Sequence, residues 1–145
     1  MAEGRETRSL AVDAPLDTLE VVMAGKKVLV VDDSLSSVLM QKLILQHERY
    51  EVVTATDGET AVATAIAEQP DLILMDVVMP GMNGFETCRK LRATSSIQHV
   101  PIIMTTTRHK LASLGKEAAA SDSDYLMKPI DRQELLAKVD RYLGN

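Results

Sequence analysis

The hydrophobic pattern from Lys26 onward alternates between two periods. Short, continuous apolar or β-branched runs, typical of buried strands, are separated by stretches whose apolar residues recur at helical spacing. The five predicted strands are 28–31, 50–55, 72–75, 102–104 and 125–127. Because a helical stretch follows each strand, the chain reads as five strand–helix units, the pattern of a parallel sheet with helices on both faces.

The predicted helices differ in how clearly they begin and in how much they can bury. The first has the apolar spacing of an amphipathic helix at Leu35, Val38, Leu39 and Leu43. Asn83 and Glu86 have the spacing of a capping box before the third helix, and Asp131 and Glu134 repeat it before the last. The fourth is thinly apolar, with Leu111, Leu114 and Ala118.

The composition of the strands predicts their order in the sheet. Strands 28–31 and 72–75 are apolar throughout, as expected of central strands buried on both faces. Strand 50–55 includes polar positions and strand 125–127 is short, so both suit edges. With right-handed crossovers the expected fold is α/β, a doubly wound five-stranded parallel sheet of order 2-1-3-4-5.

Polar residues follow the strands at the edge of the sheet where such folds bind ligands, beside the point at which strand order reverses. They are Asp32, Asp33, Asp76, Thr105 to Thr107 and Lys128. Clustered carboxylates repel unless a cation intervenes, and oxygen ligands without His or Cys favour Mg²⁺. A carboxylate beside Mg²⁺ can attack a phosphoryl group, with Lys128 and Thr106 donating to its oxygens. The constellation indicates phosphoryl transfer onto Asp76.

Segments 31–34, 75–84, 101–106 and 124–129 together resemble the receiver domain of bacterial two-component response regulators, of the single-domain, chemotaxis-regulator type. The resemblance covers residues 26–143 and implies a flavodoxin-like (βα)5 fold. It implies Asp76 as phosphoacceptor and an Mg²⁺ site of Asp32, Asp33, Asp76 and the Val78 backbone carbonyl. It also implies that Thr106 and Lys128 contact the phosphoryl group, that Thr106 and Tyr125 form the switch, and that the Lys128–Pro129 bond is cis.

The resemblance further implies partners and kinetics. A histidine kinase or phosphotransfer protein would donate the phosphoryl group, and the signal would pass by contact through the fourth helix, fifth strand and fifth helix to an unidentified target. The chain would not be an enzyme beyond its own phosphorylation and dephosphorylation. Val78 and Arg108 flank the line of the hydrolytic water in receivers, and neither can position that water well, so slow autodephosphorylation is expected.

Two other functions compete with this interpretation. A phosphatase of the haloacid dehalogenase type also uses an aspartate nucleophile, but it needs Asp-x-Asp where Asp32 and Asp33 are adjacent. A degenerate receiver could instead serve only as a binding module. The acidic residues, Thr106 and Lys128 are all intact in this sequence, which argues against that function. The hydroxyl that contacts the phosphoryl group could belong to Thr105 instead of Thr106, one residue away. The family's spacing from Pro101 favours Thr106.

Composition narrows the remaining classes. The net charge of −5, without a dense basic stripe, disfavours nucleic-acid binding. No apolar run reaches the ~18–20 residues of a membrane span. A single cysteine, Cys88, and the lack of a secretory signal suit a reducing, cytoplasmic location. Residues 1–25 are expected to be a flexible or weakly helical extension, residues 26–145 the domain, and no output domain is expected after Gly144.

Two positions depart from the family pattern. Ser121-Asp122 stands where a Gly-Ala pair is common, and Ile130 replaces a common Phe after Lys128-Pro129. Both lie away from the residues expected to handle the phosphoryl group, so they bear on the partner face rather than on the chemistry.

Overall fold

A computed structural model describes residues 25–115 and 124–144. Strands and helices alternate in the order β1 (Lys27–Val31), α1 (Leu35–His47), β2 (Glu51–Ala55), α2 (Gly58–Glu68), β3 (Leu72–Asp76), α3 (Gly84–Arg92), β4 (Ile102–Thr106), α4 (Arg108–Ser113), β5 (Asp124–Met127) and α5 (Arg132–Leu143). The expectations for the extension before Gly25, for Ala118 and for Ser121-Asp122 lie outside the described residues.

The sheet has the predicted topology. Its strands are parallel and lie in the order β2-β1-β3-β4-β5, with β2 and β5 at the edges. Alternate residues of the central strands face two separate apolar layers. One layer contains Leu29, Val31, Ile73 and Met75 with residues of α2 and α3. The other contains Val28, Val30, Leu72 and Leu74 with residues of α1 and α5. The doubly wound α/β fold is confirmed.

The apolar face predicted for α1 is confirmed at Val38 and wrong at its three leucines. Leu35, Leu39 and Leu43 are 75%, 55% and 57% exposed, and the buried residues are Val38, Gln41 and Leu45. With 3.6 residues per turn, these two sets lie roughly a third of a turn apart. In the first turn of α1, the Ser34 side chain accepts from the Ser37 N–H and the Ser37 hydroxyl donates to Asp32, so this side of the helix faces the acid pair. The same phase buries Val38 and Leu45 in the apolar layer and leaves the three leucines facing solvent.

Helix starts and strand ends determine where the functional side chains lie. The Asn83–Glu86 capping box is present at α3, and the Asp131 side chain caps α5 by accepting from the Glu134 N–H. β3 and β4 extend beyond their apolar runs and end on Asp76 and Thr106. These polar residues therefore belong to the sheet and take their positions from its hydrogen bonds. Within the described ranges, no helix is long and apolar enough to cross a bilayer.

Candidate functional site

The carboxyl ends of β1 and β3 bring the predicted acidic residues together. Val31 pairs with Met75 in the parallel register, so the next residues along, Asp32 and Asp76, lie beside each other at the edge of the sheet. One carboxylate oxygen from each of Asp32, Asp33 and Asp76 lies within 4.8 Å of the others. Asp32 and Asp76 are buried and Asp33 is exposed, so the cluster opens to solvent on one side.

Asp32 is fully buried and held by three donors. The Ser34 N–H donates to Oδ1 at 2.9 Å, and the Ser37 hydroxyl donates to Oδ2 at 2.7 Å. Lys128 Nζ also donates to Oδ2, at 2.8 Å. Burial by itself opposes ionisation, but the bonds from Lys128, Ser34 and Ser37 outweigh it and hold the pKa of Asp32 below its ordinary value. Asp32 therefore carries its negative charge at neutral pH.

Asp76 has the opposite balance. Its side chain is almost fully buried, and burial together with the charge of Asp32 raises its pKa to about 6. Lys128 and a hydrogen bond from the Val78 N–H act in the other direction but are outweighed. Asp76 is therefore mostly ionised at neutral pH, in a pocket that disfavours its charge. A carboxylate in this state gains from any ligand that brings positive charge beside it.

Lys128 reaches the acidic cluster from the end of β5. Its Nζ lies 3.5 Å from Asp76 Oδ2, farther than from Asp32. Burial would lower the pKa of Lys128, but the hydrogen bond to Asp32 and the charge of Asp76 raise it above its ordinary value. Its backbone N–H donates to the Thr106 carbonyl at 2.7 Å, which ties the ends of β4 and β5 together. The Lys128–Pro129 bond is cis, as expected.

Thr106 lies at the carboxyl end of β4 with its side chain buried. Among the described residues its hydroxyl has no hydrogen-bond partner, and the same holds for Thr105. Ile103 and Met104 face different apolar layers, so alternation along the strand sends the two threonine side chains to opposite faces. An unsatisfied buried hydroxyl is costly, and it favours a ligand oxygen within its reach. The assignment of the phosphoryl contact to Thr106 stays a prediction.

The remaining predicted positions surround this cluster. Val78 is partly exposed just past β3, and Arg108 is exposed at the start of α4. Tyr125 is half-buried and packs against the layer that includes Met104. The Val78 N–H bonds to Asp76, whereas the role of its carbonyl as a metal ligand stays a prediction.

Sequence reasoning missed two residues that belong to the site. Ser37 donates to Asp32, and Gln41 donates to Ser37. The signal was present in the sequence, because Ser37 and Gln41 lie one helical turn apart on one side of the helix that follows the acid pair. The helical spacing of Leu35, Leu39 and Leu43 indicates the other face of that helix.

The donor set fits a hard divalent cation. All three clustered side chains offer carboxylate oxygens, and the described residues place no His or Cys among them. Mg²⁺ takes oxygen ligands and keeps several of its waters, so a cluster open on one side suits it. The buried negative charges of Asp32 and Asp76 supply the electrostatic reason for a cation to bind.

The family model for the response regulator receiver domain matches residues 28–140. The chain belongs to this family. Receiver domains are signalling switches rather than classical enzymes, so phosphorylation-controlled switching is the general function. The matched range runs from the second residue of β1 into the last helix, so it spans the sheet described above.

Three similar proteins illustrate the range of receiver architectures. The response regulator PleD of Caulobacter vibrioides is 42% identical over 113 residues, which are 78% of this chain and 25% of PleD. The chain therefore spans about a quarter of that curated relative. The structure of the chemotaxis protein CheY4 of Vibrio cholerae is 38% identical, with TM-score 0.73, covering 81% of this chain and 98% of CheY4.

The third is the receiver domain of the sensor histidine kinase PA1611 of Pseudomonas aeruginosa, which is 31% identical with TM-score 0.76. The match covers 83% of this chain and 99% of that one, and the PA1611 domain has a magnesium ion coordinated in its active-site cleft.

Proposed function

We propose that this receiver accepts a phosphoryl group on Asp76 from a phosphohistidine donor, with Mg²⁺ bound at Asp32, Asp33, Asp76 and the Val78 carbonyl. The observation that carries the proposal is the state of Asp76, a buried carboxylate with a pKa raised to about 6, within 3.5 Å of Lys128 and clustered with two further acids. The magnesium ion in the PA1611 receiver supports the choice of metal. When bound, Mg²⁺ supplies charge neutralisation at the carboxylates and at the phosphoryl oxygens.

The transfer itself uses the ionised form of Asp76. One of its oxygens attacks phosphorus as the bond from phosphorus to the histidine nitrogen breaks, and the imidazole keeps the electron pair and takes a proton from solvent. Lys128 turns its ammonium from Asp32 toward the phosphoryl oxygens, and the unpartnered Thr106 hydroxyl donates to another. The product is an acyl phosphate on Asp76. These residues orient and stabilise charge, while the donor supplies the phosphoryl group.

The donor protein docks on the exposed face of α1. A protein that delivers its histidine to Asp76 must contact the rim of the acidic pocket, and α1 begins at that rim three residues after Asp32. Its exposed side is formed by Leu35, Leu39 and Leu43. Three exposed leucines one turn apart on one helix are typical of a protein-binding surface. Its position beside the pocket favours the phosphoryl donor as the partner.

The output face is formed by α4, β5 and α5. α4 (Arg108–Ser113) has no buried residue, and Tyr125 of β5 is only half-buried. An element with so few buried contacts can shift at low free-energy cost. When the Thr106 hydroxyl turns toward a phosphoryl group, α4 and Tyr125 are the neighbours that can rearrange with it.

Hydrogen exchange with and without beryllofluoride and Mg²⁺ tests this proposal, because beryllofluoride mimics a phosphoryl group on a carboxylate. We expect altered exchange in 108–113 and 124–127, and little change in α3, which buries Phe85 and Leu91. Asp76→Asn should abolish the response. Changes confined to other elements would refute the output face, and no response in the wild type would refute the switch at Asp76.

A further inference from the structure

A chain of hydrogen bonds runs from the interior of α1 to the acidic cluster. The Ser37 hydroxyl lies 2.7 Å from Asp32 Oδ2. Gln41 Nε2 lies 3.1 Å from the Ser37 hydroxyl and 3.1 Å from the Ser37 carbonyl oxygen. Gln41 is 1% exposed, and within the described part of the chain its Oε1 has no partner.

The direction of each bond in this chain follows from its chemistry. A backbone carbonyl only accepts, so the Gln41 amide must present its NH₂ group to Ser37. The same NH₂ group then donates to the Ser37 hydroxyl oxygen. With its oxygen accepting from Gln41, Ser37 directs its proton to the Asp32 carboxylate, which can only accept. Gln41 thereby fixes the hydroxyl of Ser37 as a donor aimed at Asp32.

Packing alone does not account for Gln41. It faces the sheet between Val38 and Leu45, where a leucine or methionine would fill similar space without an unsatisfied oxygen. Burying an amide oxygen without a partner costs stability. The compensating feature in the structure is the pair of hydrogen bonds that the other end of the amide makes to Ser37.

We propose that Ser37, oriented by Gln41, is a positioning residue that fixes the Asp32 carboxylate for Mg²⁺ binding. The inference rests on the proposed function, since it concerns the same site. Lys128 and Ser37 donate to the same oxygen of Asp32. An ammonium is repelled by a divalent cation on the carboxylate it contacts, whereas a neutral hydroxyl is not. Once Lys128 turns toward Asp76, Ser37 and the Ser34 N–H remain to hold the plane of Asp32.

Calorimetric titration of the full chain with Mg²⁺ tests this role, using Ser37→Ala, Gln41→Leu and the control Ser36→Ala. Ser36 is exposed and contacts only the Ser34 hydroxyl among the described hydrogen bonds, so its loss leaves Asp32 untouched. Hydrogen-bond partners of metal ligands typically change affinity 10–100-fold when removed, so we expect the Kd of Ser37→Ala to rise about tenfold. Ser37→Thr, which keeps the hydroxyl, should restore most of the affinity.

Gln41→Leu separates positioning from structural support. We expect it to weaken Mg²⁺ binding measurably but by less than Ser37→Ala, because Ser37 keeps its hydroxyl and loses only the bond that orients it. Urea denaturation without metal should show Gln41→Leu at least as stable as the wild type, since the unsatisfied oxygen is gone. A structural role would instead lower stability while leaving affinity unchanged.

Two results would overturn the inference while leaving the proposed function intact. In the first, Ser37→Ala and Gln41→Leu both bind Mg²⁺ with wild-type affinity. In the second, Ser36→Ala loses as much affinity as Ser37→Ala. Failure of the wild-type chain to bind Mg²⁺ would overturn both.

Discussion

Lys128 Nζ lies 2.8 Å from Asp32 Oδ2 and 3.5 Å from Asp76 Oδ2, so the ammonium pairs first with the metal-site acid and only second with the proposed phosphoacceptor. The arrangement is consistent with the two carboxyl groups' pKa values, lowered at Asp32 and raised at Asp76. It leaves Asp76 with incompletely compensated charge. A cation or a phosphoryl group at Asp76 would change which carboxylate forms the ion pair with Lys128.

Lys128→Met should destabilise the metal-free protein strongly. Asp32 is fully buried and would lose the one cation that pairs with it among the described residues, and an uncompensated buried charge costs ~3–5 kcal/mol. The matched control is Lys138→Met, because Asp124 is partly exposed and keeps its ion pair with Arg141. That control should cost less than ~1 kcal/mol. Urea denaturation at pH 7.5 with a chelator measures both, and equal losses would contradict the buried-pair account.

Mg²⁺ should raise the melting temperature of the wild type. The ion binds the folded cluster and not the dispersed carboxylates of the unfolded chain, so at 100 times its Kd it adds ~2.7 kcal/mol. Asp32→Asn and Asp33→Asn should each reduce this shift, and the exposed Glu59→Gln should leave it unchanged. Thermal scans with Mg²⁺ and with chelator supply the comparison. A shift that survives loss of both acids would place the ion elsewhere.

Asp76→Asn should stabilise the metal-free protein, increasingly so as the pH rises. The folded-state pKa of Asp76 is raised from 3.8 to about 6, so the stability that its protonated form contributes is complete below pH 3.8 and is lost as the pH rises through 6. The full loss corresponds to ~3 kcal/mol. Asn does not titrate, so its advantage should be small at pH 4 and reach ~2–3 kcal/mol by pH 8. Denaturation midpoints across this range measure it, and a pH-independent difference would contradict the raised pKa.

The phosphorylated state should decay slowly. Val78 has no hydrogen-bonding side-chain group, and Arg108 can donate to a water but cannot accept its proton. Val78→Asn with Arg108→Glu should therefore shorten the lifetime of the phosphorylated state after removal of the donor, because both new side chains can hold the attacking water. Val78→Ala serves as the control for side-chain size. An unchanged lifetime in the double variant would refute the water-positioning argument without touching the fold.

The sheet was predictable because its strands carry their own pattern. Runs such as 72–75 are apolar on both faces, as central strands of parallel sheets are, and edge strand 51–55 is marked by its polar positions. The acid cluster followed from topology, since the residues after β1 and β3 must meet when those strands are neighbours. The strand order alone was sufficient to predict that Asp32 and Asp76 lie close together.

The sequence was misleading where local hydrogen bonds decide the outcome. Leu35, Leu39 and Leu43 have helical spacing, yet they are exposed, and the same helix phase directs the Ser37 hydroxyl to Asp32. Gln41 is polar and buried, which periodicity alone assigns to the solvent face. The sequence also could not predict which carboxylate Lys128 pairs with first. Asp32 and Asp76 follow adjacent strands, and only the geometry of the cluster distinguishes them.

The most direct test of the central claim is mass spectrometry of the intact chain after incubation with acetyl phosphate, followed by mapping of the modified residue. The wild type should gain one phosphoryl group on Asp76, in a reaction that requires Mg²⁺ and yields an adduct labile to hydroxylamine. Asp76→Asn should gain none, because an amide is not a competent nucleophile. Undiminished labelling of Asp76→Asn, or a wild-type adduct on another residue, would contradict the account.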